Sequence, residues 1–529
     1  MTGDVLIRDA TLIDGSGAPR RQGDLLIRGD RIVALGDLAA ALATRTIDAS
    51  GRVLAPGFID THVHTDMTLL DEPVHECFVR QGITTVIQGQ DGLSYAPLSP
   101  ANLAMFRRYL AGLNGDARNP ARWESVAEYR SAFDRTVSMN TAYCVPHAAA
   151  RLETVGFRDV PLTGDDLAAA RRLIETAFEE GAVAFSTGLS YFPNTFADTD
   201  ELVALCDVAA AAGRPYVTHV RSVFEPAVPD WLRAGLDEAL EIGRRSGVAV
   251  HVSHFGPKPW RYPTPDDLLA PVDRARGEGV TVTLEVYPYP SGNTYMLIYV
   301  PPWAHEGGPD ALLSLIRSGR ERERLVRDIE RNTITPFGAR VAYLGRGPDP
   351  AVLARPLDDI AAEWGVSVGE AVLRLLDRED LVVGGRESPP AFEDLWNRFR
   401  ADLMTILARG DYMIGSDGIP VAQYPHPRTF GAFPRVLRYA RETLALTLEQ
   451  VIACMTSLPA RTFGLAERGV LREGAYADLV LFDPDAITDH ATYEHPVRVS
   501  TGVDYLWVNG VTVIDAGRIT SARPGRAVP

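Results

Sequence analysis

The sequence predicts an α/β fold: a (β/α)8 barrel of the TIM type, a small β-sandwich domain formed from both chain ends, and an inserted, lid-like subdomain. From residue 56 to 469, strand-like apolar runs alternate with helix-like runs, which is the pattern of a barrel of parallel strands. Residues 1–55 and 470–529 instead contain short strands and tight turns such as Gly29-Asp30 and Asn509-Gly510. We expect the two ends to pair into one composite domain, although two separate hairpin modules would give the same pattern.

Eight strand-like segments predict the barrel, each separated from the next by a helix-like run. The helix-like run that begins after Thr163 and stops at Gly181 is typical, since a strand-like segment follows it directly. The eight segments are Phe58–His64, Thr84–Gly89, Ala142–His147, Ala182–Thr187, Tyr216–Val220, Ala249–Phe255, Val280–Tyr287 and Tyr412–Ser416.

The seventh and eighth segments are about 120 residues apart, which is too far for one helix and its loops. We expect an insertion at about residues 295–408 within the barrel domain. It could cover the C-terminal face of the barrel as a lid, or it could be a peripheral helical insertion without a role in a reaction.

The composition excludes several classes of function. The 529-residue chain carries a formal net charge of −16 and contains no run of Lys and Arg suited to a phosphate backbone. It has no apolar segment of about 18 residues, and its four cysteines are too dispersed for a disulfide framework. We expect a cytoplasmic protein that binds neither nucleic acid nor a membrane.

The first predicted barrel strand ends in two histidines, His62 and His64. Residues i and i+2 of a strand point to the same side, so both imidazoles are directed toward one point. A His-x-His pair alone is a weak signal for a metal site, because buried histidines often serve only as hydrogen-bonding partners.

Four more polar residues stand at the ends of other predicted strands. Asp91 follows the second strand, His219 closes the fifth, His254 closes the sixth and Asp417 follows the eighth. Alone, His219 could be a core histidine and Asp417 a turn residue. The C-terminal strand ends of a barrel form one face, however, so we expect all six residues to be neighbours. His251 has the opposite parity to His254 in its strand and is left out.

Four imidazoles and two carboxylates are a ligand set suited to one or two zinc ions, with cobalt or manganese as alternatives. Such an ion lowers the pKa of a bound water toward about 7. A neighbouring carboxylate could take a proton from this water and deliver it to a leaving nitrogen. The residues therefore predict metal-assisted hydrolysis.

Several longer blocks carry a resemblance to a known family. The chain resembles the amidohydrolase superfamily and, within it, the N-acyl-D-amino-acid deacylases (D-aminoacylases). The resemblance extends over nearly the whole chain, and the Ser-Thr-Gly-Leu-Ser-Tyr and His-Pro-Arg blocks are specific to the deacylase branch. The blocks are residues 13–17, 55–64, 186–191, 287–289, 414–418, 426–431, 456–460 and 474–480.

The resemblance implies a zinc hydrolase that releases a carboxylate and a free D-amino acid from a small N-acyl-D-amino acid. It implies that His219 and His254 hold the tighter ion, that His62 and His64 face a second position of variable occupancy, and that Asp417 is general base and acid. It also implies that Arg428 and Tyr191 bind the substrate carboxylate and that Tyr287 and Ser291 help to line the substrate pocket.

Two positions depart from the family pattern. Gly89-Gln90-Asp91-Gly92 stands where the family usually has Gly-Asn-Cys-Gly, and a carboxylate is a harder metal ligand than a thiolate. The family often has Ser-His-His-Lys at the sixth strand, whereas here Lys258 lies four residues after His254. Lys258 could contact the substrate from this displaced position or be an exposed loop lysine.

Three alternatives remain open from the sequence. The first is a cyclic amidase resembling hydantoinase or dihydroorotase. Such an enzyme would need a bridging lysine at the end of the fourth strand, where this chain has Ser186. The second is a deacylase for another acyl amide, and the third is a scaffold without activity. The preferred acyl group and side chain, the number of metal ions and the oligomeric state are also open.

Overall fold

The computed structural model describes residues 2–115, 122–221, 230–332, 336 and 338–529. The part of the predicted insertion at 333–335 and 337 lies outside these residues. Within the described residues the strands β1 to β20 are, in chain order, Thr2–Leu12, Arg21–Arg28, Arg31–Gly36, Leu42–Asp48, Val53–Pro56, Phe58–Asp60, Ile83–Gln88, Asn140–Pro146, Ala184–Gly188, Tyr216–His219, Val250–Val252, Val282–Val286, Asn293–Tyr295, Arg340–Leu344, Val383–Arg386, Tyr412–Ile414, Leu479–Phe482, Val503–Val508, Val511–Asp515 and Arg518–Ile519.

The helices of the same residues connect these strands and cover the barrel. Helices α1 to α17 are, in chain order, Thr68–Asp71, Glu76–Val79, Pro100–Asn114, Val126–Ser131, His147–Leu152, Gly164–Glu179, Thr199–Ala211, Trp231–Ser246, Pro265–Gly277, Gly308–Arg317, Gly319–Arg331, Leu357–Trp364, Val368–Arg378, Glu393–Leu407, Arg428–Thr443, Leu448–Met455 and Ser457–Thr462. A short 3₁₀ turn at Gln90–Gly92 follows β7.

Strands β6 to β12 and β16 form the parallel barrel, in the spatial order of their sequence. The seam between the last strand and the first is closed by main-chain contacts just beyond the strand ends. The His64 N–H donates to the Gly418 carbonyl at 3.0 Å, and the Asp417 N–H donates to the His62 carbonyl at 2.8 Å. The predicted barrel is confirmed, and each of the eight predicted segments contains or overlaps a barrel strand.

The strands of both chain ends form one mixed sheet outside the barrel. Its order is β20-β19-β18-β17-β5-β1-β2-β3, with β4 paired in parallel to β1. The junction between the two ends is the antiparallel pair β17 and β5, in which Val480 faces Ala55. The domain boundaries at residues 55 and 470 stay a prediction, although this sheet is built from the two segments concerned.

The barrel and the terminal sheet share an aromatic contact. Phe58, at the start of β6, is fully buried and stacks on Phe433 of α15 with ring centroids 5.8 Å apart. The same ring meets the edge of Phe482, the last residue of β17, at 6.3 Å. Phe58 therefore joins the first barrel strand, an outer helix and the terminal sheet.

The long connection between β12 and β16 contains its own sheet, in the order β13-β15-β14, together with helices α10 to α14. Strand β13 begins at Asn293, seven residues after β12 ends, so the connection leaves the barrel at its C-terminal face. In the described segments of the chain, no helix is both long enough and apolar enough to cross a membrane.

We expect Phe58→Ala to lower the free energy of unfolding by about 3–5 kcal/mol, because the substitution leaves a cavity between three packed elements. Urea unfolding measures the change. Phe392→Ala is the matched control, since Phe392 is 71% exposed, and we expect it to change the free energy by less than about 0.5 kcal/mol. Equal effects of the two variants would contradict the role assigned to Phe58.

Candidate metal centre and active site

The six residues predicted at the strand ends lie together at the C-terminal face of the barrel. They form three overlapping groups whose candidate ligand atoms are within 4.8 Å of one another. The groups are His62, His64 and Asp91; Asp91, His219 and His254; and His62, His254 and Asp417.

Asp91 lies between the histidine pairs. Its Oδ2 is 3.6 Å from Nε2 of His64, and its Oδ1 is 3.6 Å from Nε2 of His62. The same Oδ1 is 3.7 Å from Nε2 of His254 and 3.9 Å from Nδ1 of His219. One carboxylate therefore belongs to two adjacent triads.

Three members of the cluster have left-handed backbone conformations. The φ angles are +57° at Asp91, +37° at His254 and +50° at Asp417. Such angles are uncommon for residues with a Cβ, and at an active site they can fix the direction of a side chain. Each of the three follows the end of a barrel strand, where the backbone turns.

A buried carboxylate holds the turn that carries Asp91. Oδ1 of Asp66 accepts the N–H of Gly89 at 2.9 Å and the hydroxyl of Ser94 at 2.5 Å, so it ties together both sides of the turn. The hydroxyl of Ser186 accepts the Gly92 N–H at 2.9 Å. The position of Asp91 is therefore set by hydrogen bonds from β9 and from the chain after β6.

Burial and neighbouring charges oppose each other at this cluster. Burial alone would raise the pKa of Asp91, but His62, His254 and His219 hold it well below its usual value. Burial and the neighbouring His254 lower the pKa of His219 to about 3. These shifts favour the ionised form of Asp91 and the neutral form of His219, which are the forms that bind a metal.

The residues fit a divalent ion. Nε2 of His62 and Oδ1 of Asp91 are buried, face the middle of the cluster and have no hydrogen-bond partner. Unsatisfied buried polar atoms are costly, and a cation between them would remove that cost. The donors are nitrogen and oxygen atoms only, which suits zinc, cobalt or manganese.

Asp417 is paired with a buried arginine. Oδ1 of Asp417 accepts Nη2–H of Arg428 at 2.9 Å and is 3.3 Å from Nε2 of His64. Burial alone would raise the pKa of Asp417, but Arg428 and the histidines hold it below its usual value. Arg428 also donates to the Asn293 carbonyl at 2.9 Å and lies 4.5 Å from the centre of the Tyr287 ring.

The other predicted substrate-binding residues lie at different distances from the cluster. The Tyr191 ring is 4.9 Å from the His219 ring, and its hydroxyl bonds Thr294 at 3.2 Å. The Ser291 hydroxyl contacts the buried side chains of His426 and Tyr493. Nζ of Lys258 is 5.6 Å from the centre of the Trp260 ring. Burial lowers the pKa of Lys258 below its usual value, although the charge of Glu387 opposes this shift. The roles predicted for these residues stay predictions.

Ser291 belongs to a buried hydrogen-bonded triad. Its Oγ lies 2.6 Å from the Tyr493 hydroxyl and 3.3 Å from Nε2 of His426. Nδ1 of His426 accepts the N–H of Arg428 at 3.1 Å, which connects the triad to the arginine. Tyr493 comes from the connection between β17 and β18, so the C-terminal segment contributes to this side of the barrel.

Glu285, a buried acid in direct contact with the cluster, was not identified from the sequence. Glu285 in β12 contacts Nδ1 of His62 at 2.5 Å and Nε2 of His251 at 3.2 Å. Burial alone would raise its pKa, but His62 and His251 hold it below the usual value. The available signal was an acidic residue inside the otherwise uncharged run Val282–Val286.

The sequence matches the profile of the amidohydrolase family over residues 45–514. It is 38% identical to the N-acyl-D-glutamate deacylase of Alcaligenes xylosoxydans xylosoxydans, with 99% of this chain and 96% of the relative covered. It is 35% identical to the D-aminoacylase of the same organism, with 99% and 97% covered. The crystal structure of N-acyl-D-glutamate deacylase from Bordetella bronchiseptica, complexed with zinc and a phosphonate mimic of the tetrahedral intermediate, matches all of both chains at 36% identity with a TM-score of 0.81.

We expect His219→Asn to abolish tight zinc binding, because it removes one imidazole from a triad of donors. Zinc content after dialysis against metal-free buffer, measured by mass spectrometry, reports the loss. His147→Asn is the control, since His147 is fully buried but bonds Glu201 instead of the cluster, and it should keep the wild-type zinc content. Full zinc occupancy in the His219 variant would remove this residue from the ligand set.

Proposed function

Because the chain belongs to the amidohydrolase family, we propose that it is a zinc-dependent hydrolase that converts N-acyl-D-amino acids to a carboxylate and a free D-amino acid. One observation carries the proposal. The two triads that share Asp91 lie directly beside the buried ion pair of Asp417 and Arg428. A metal centre, a proton-transfer group and a cation that can bind a carboxylate therefore occupy one site.

The relatives support the metal and the substrate class. The structure from Bordetella bronchiseptica holds zinc together with a phosphonate that mimics the tetrahedral intermediate. In this chain Asp91, His219 and His254 would hold one ion, and His62 and His64 would join Asp91 at a second position. Zinc supplies Lewis acidity when bound, which makes a water more acidic and an amide carbonyl more electrophilic.

Asp417 is the residue that moves the proton. Its carboxylate takes a proton from the attacking water as the new C–O bond forms, and it delivers that proton to the nitrogen as the C–N bond breaks. The low pKa set by Arg428 and the histidines keeps Asp417 ionised before the reaction. The acyl carbon leaves as a carboxylic acid, and the nitrogen leaves as the amine of the amino acid.

Arg428 is suited to the free carboxylate of the substrate. Its side chain is fully buried, and Nε and Nη1 have no hydrogen-bond partner, whereas Nη2 is used by Asp417 and Asn293. A guanidinium with unused N–H groups in a dry site binds a carboxylate strongly. Tyr191 and Tyr287 would line the pocket beside it, and Ser291 and Lys258 would complete its edges.

The fourth barrel strand argues against the cyclic-amidase alternative. Ser186 lies in β9, and its hydroxyl is occupied by the Gly92 N–H. This position therefore provides no amine that could form the bridging carbamate of a cyclic amidase. The D configuration and the linear acyl amide are proposed from the relatives, which are deacylases of N-acyl-D-glutamate and D-aminoacylases.

Turnover of matched N-acetyl-D-amino and N-acetyl-L-amino acids by the zinc-loaded protein tests the proposal, with hydantoin and dihydroorotate assayed beside them. We expect hydrolysis of D substrates only, because the relatives act on that series. The protein stripped of metal is the control and should be inactive. Turnover confined to L substrates or to the cyclic amides would overturn the proposed substrate class.

We expect Asp417→Asn to retain zinc and to lower kcat by about 10²–10⁴-fold, because an amide cannot accept the proton. The zinc content and the steady-state rate are measured on the same preparation. Asp411→Asn is the control at the opposite end of β16, where Asp411 bonds Arg276 and Arg409. A near-native rate in the Asp417 variant would exclude this carboxylate from proton transfer.

A further inference from the structure

We propose that Glu285 is a positioning residue of the metal centre, which holds the His62 ring with Nδ1 protonated and Nε2 directed at the ion. The inference rests on the proposed function in one respect, namely that the cluster binds a divalent metal. It assigns a role to a residue of β12 that is not itself a candidate ligand, since its carboxylate lies behind His62 as viewed from Asp91.

The tautomer of His62 follows from the partners of its two ring nitrogens. Glu285 is fully buried, and its Oε1 lies 2.5 Å from Nδ1 of His62. An ionised carboxylate only accepts hydrogen bonds, so Nδ1 must carry the proton. Nε2 is then the ring nitrogen left for a metal ion, and this atom points to Asp91 at 3.6 Å and Asp417 at 3.8 Å.

The second oxygen of Glu285 is also held. It accepts the hydroxyl of Thr61 and Nε2–H of His251, the latter at 3.2 Å. Nδ1 of His251 in turn accepts the Thr283 hydroxyl at 2.9 Å, so both nitrogens of His251 are used. Glu285 therefore cannot rotate without breaking hydrogen bonds to β11 and to the segment after β6.

The space around Glu285 is limited by the neighbouring barrel strand. A Cβ at Gly415, just after β16, would lie 2.8 Å from Oε2 of Glu285 and 2.8 Å from Cβ of His62. Both distances are shorter than those that real Cβ atoms show. The absence of a side chain at Gly415 thus lets Glu285 and His62 approach each other closely.

The charge of Glu285 distinguishes it from a purely structural buried acid. Glu201, in another buried network, pairs with His147 and also with the guanidinium of Arg151 at 2.7 Å. Among the described residues, the ion pairs of Glu285 are with His62 and His251 only, and no Lys or Arg joins them. A buried carboxylate whose partners are imidazoles and not a Lys or Arg is costly, and a cation on the far side of His62 would help to compensate its charge.

The zinc affinity of Glu285→Gln tests the proposal, measured by competition with a chromogenic chelator on metal-stripped protein reloaded with zinc. We expect binding weaker by about 10–100-fold, because the amide no longer accepts from His62 and His251 as a carboxylate does. Glu201→Gln is the matched control. It should lower the melting temperature while leaving zinc affinity within about twofold of the wild type, since a purely structural loss does not reach the ligands.

Wild-type zinc affinity in folded Glu285→Gln would overturn the proposal. If that variant does not fold, Glu285→Asp replaces it, because Asp keeps the charge but withdraws the carboxylate from His62 by one methylene. We expect an intermediate loss of affinity there, and unchanged affinity would again overturn the proposal. Zinc binding needs no substrate, so a wrong substrate class would leave this result unaffected.

Discussion

The seam that closes the barrel is the contact on which the site depends. The hydrogen bonds from His64 to Gly418 and from Asp417 to His62 are made by the backbones of three candidate functional residues. Asp60 strengthens the same seam, because it accepts both the N–H and the hydroxyl of Ser416. The contacts that close the barrel therefore also hold the candidate metal ligands next to the proposed proton-transfer group.

The second constraint is charge. Asp91, Asp417 and Glu285 bring three buried carboxylates to the end of the barrel, and the guanidinium of Arg428 pairs with Asp417. Buried negative charge of this kind is unfavourable unless cations or hydrogen bonds balance it. The histidine nitrogens can bind either a proton or a metal ion. A divalent cation would therefore stabilise the cluster by balancing its negative charge. The carboxylate of Asp91, where the family usually has a thiol, makes all of these donors hard or borderline ligands.

The substrate side of the site is assembled from distant parts of the chain. Asn293 belongs to the sheet of the long insertion, and Arg428 begins helix α15. That helix is held from outside by Asp489, which accepts from Arg435 at 2.8 Å and Arg438 at 3.0 Å. Tyr493, four residues further, reaches the Ser291 hydroxyl. The terminal segment thus supports the arginine that faces the proposed substrate, although its strands belong to a different sheet.

The sequence by itself determined the barrel and the six-residue cluster. Apolar runs in alternation with helices identify buried parallel strands, and a barrel brings the C-terminal ends of all its strands to one face. His62, Asp91, His254 and Asp417 could therefore be placed together without coordinates. The exact strand ends could not, since β6 stops at Asp60 and Thr61 turns its hydroxyl to Glu285 instead of continuing the strand.

Only the tertiary structure decided which side chains meet inside that framework. Glu285 has the local pattern of any strand residue, yet it contacts His62, which lies 223 positions earlier. Ser291 is predicted to line the substrate pocket, and the partner of its hydroxyl is Tyr493, 202 positions later. Such contacts depend on rotamers and on how every intervening element packs, and local sequence patterns carry no information about either. The periodicity of apolar residues indicates which face of a helix or strand is buried. Only the packed structure determines which partner each buried polar group contacts.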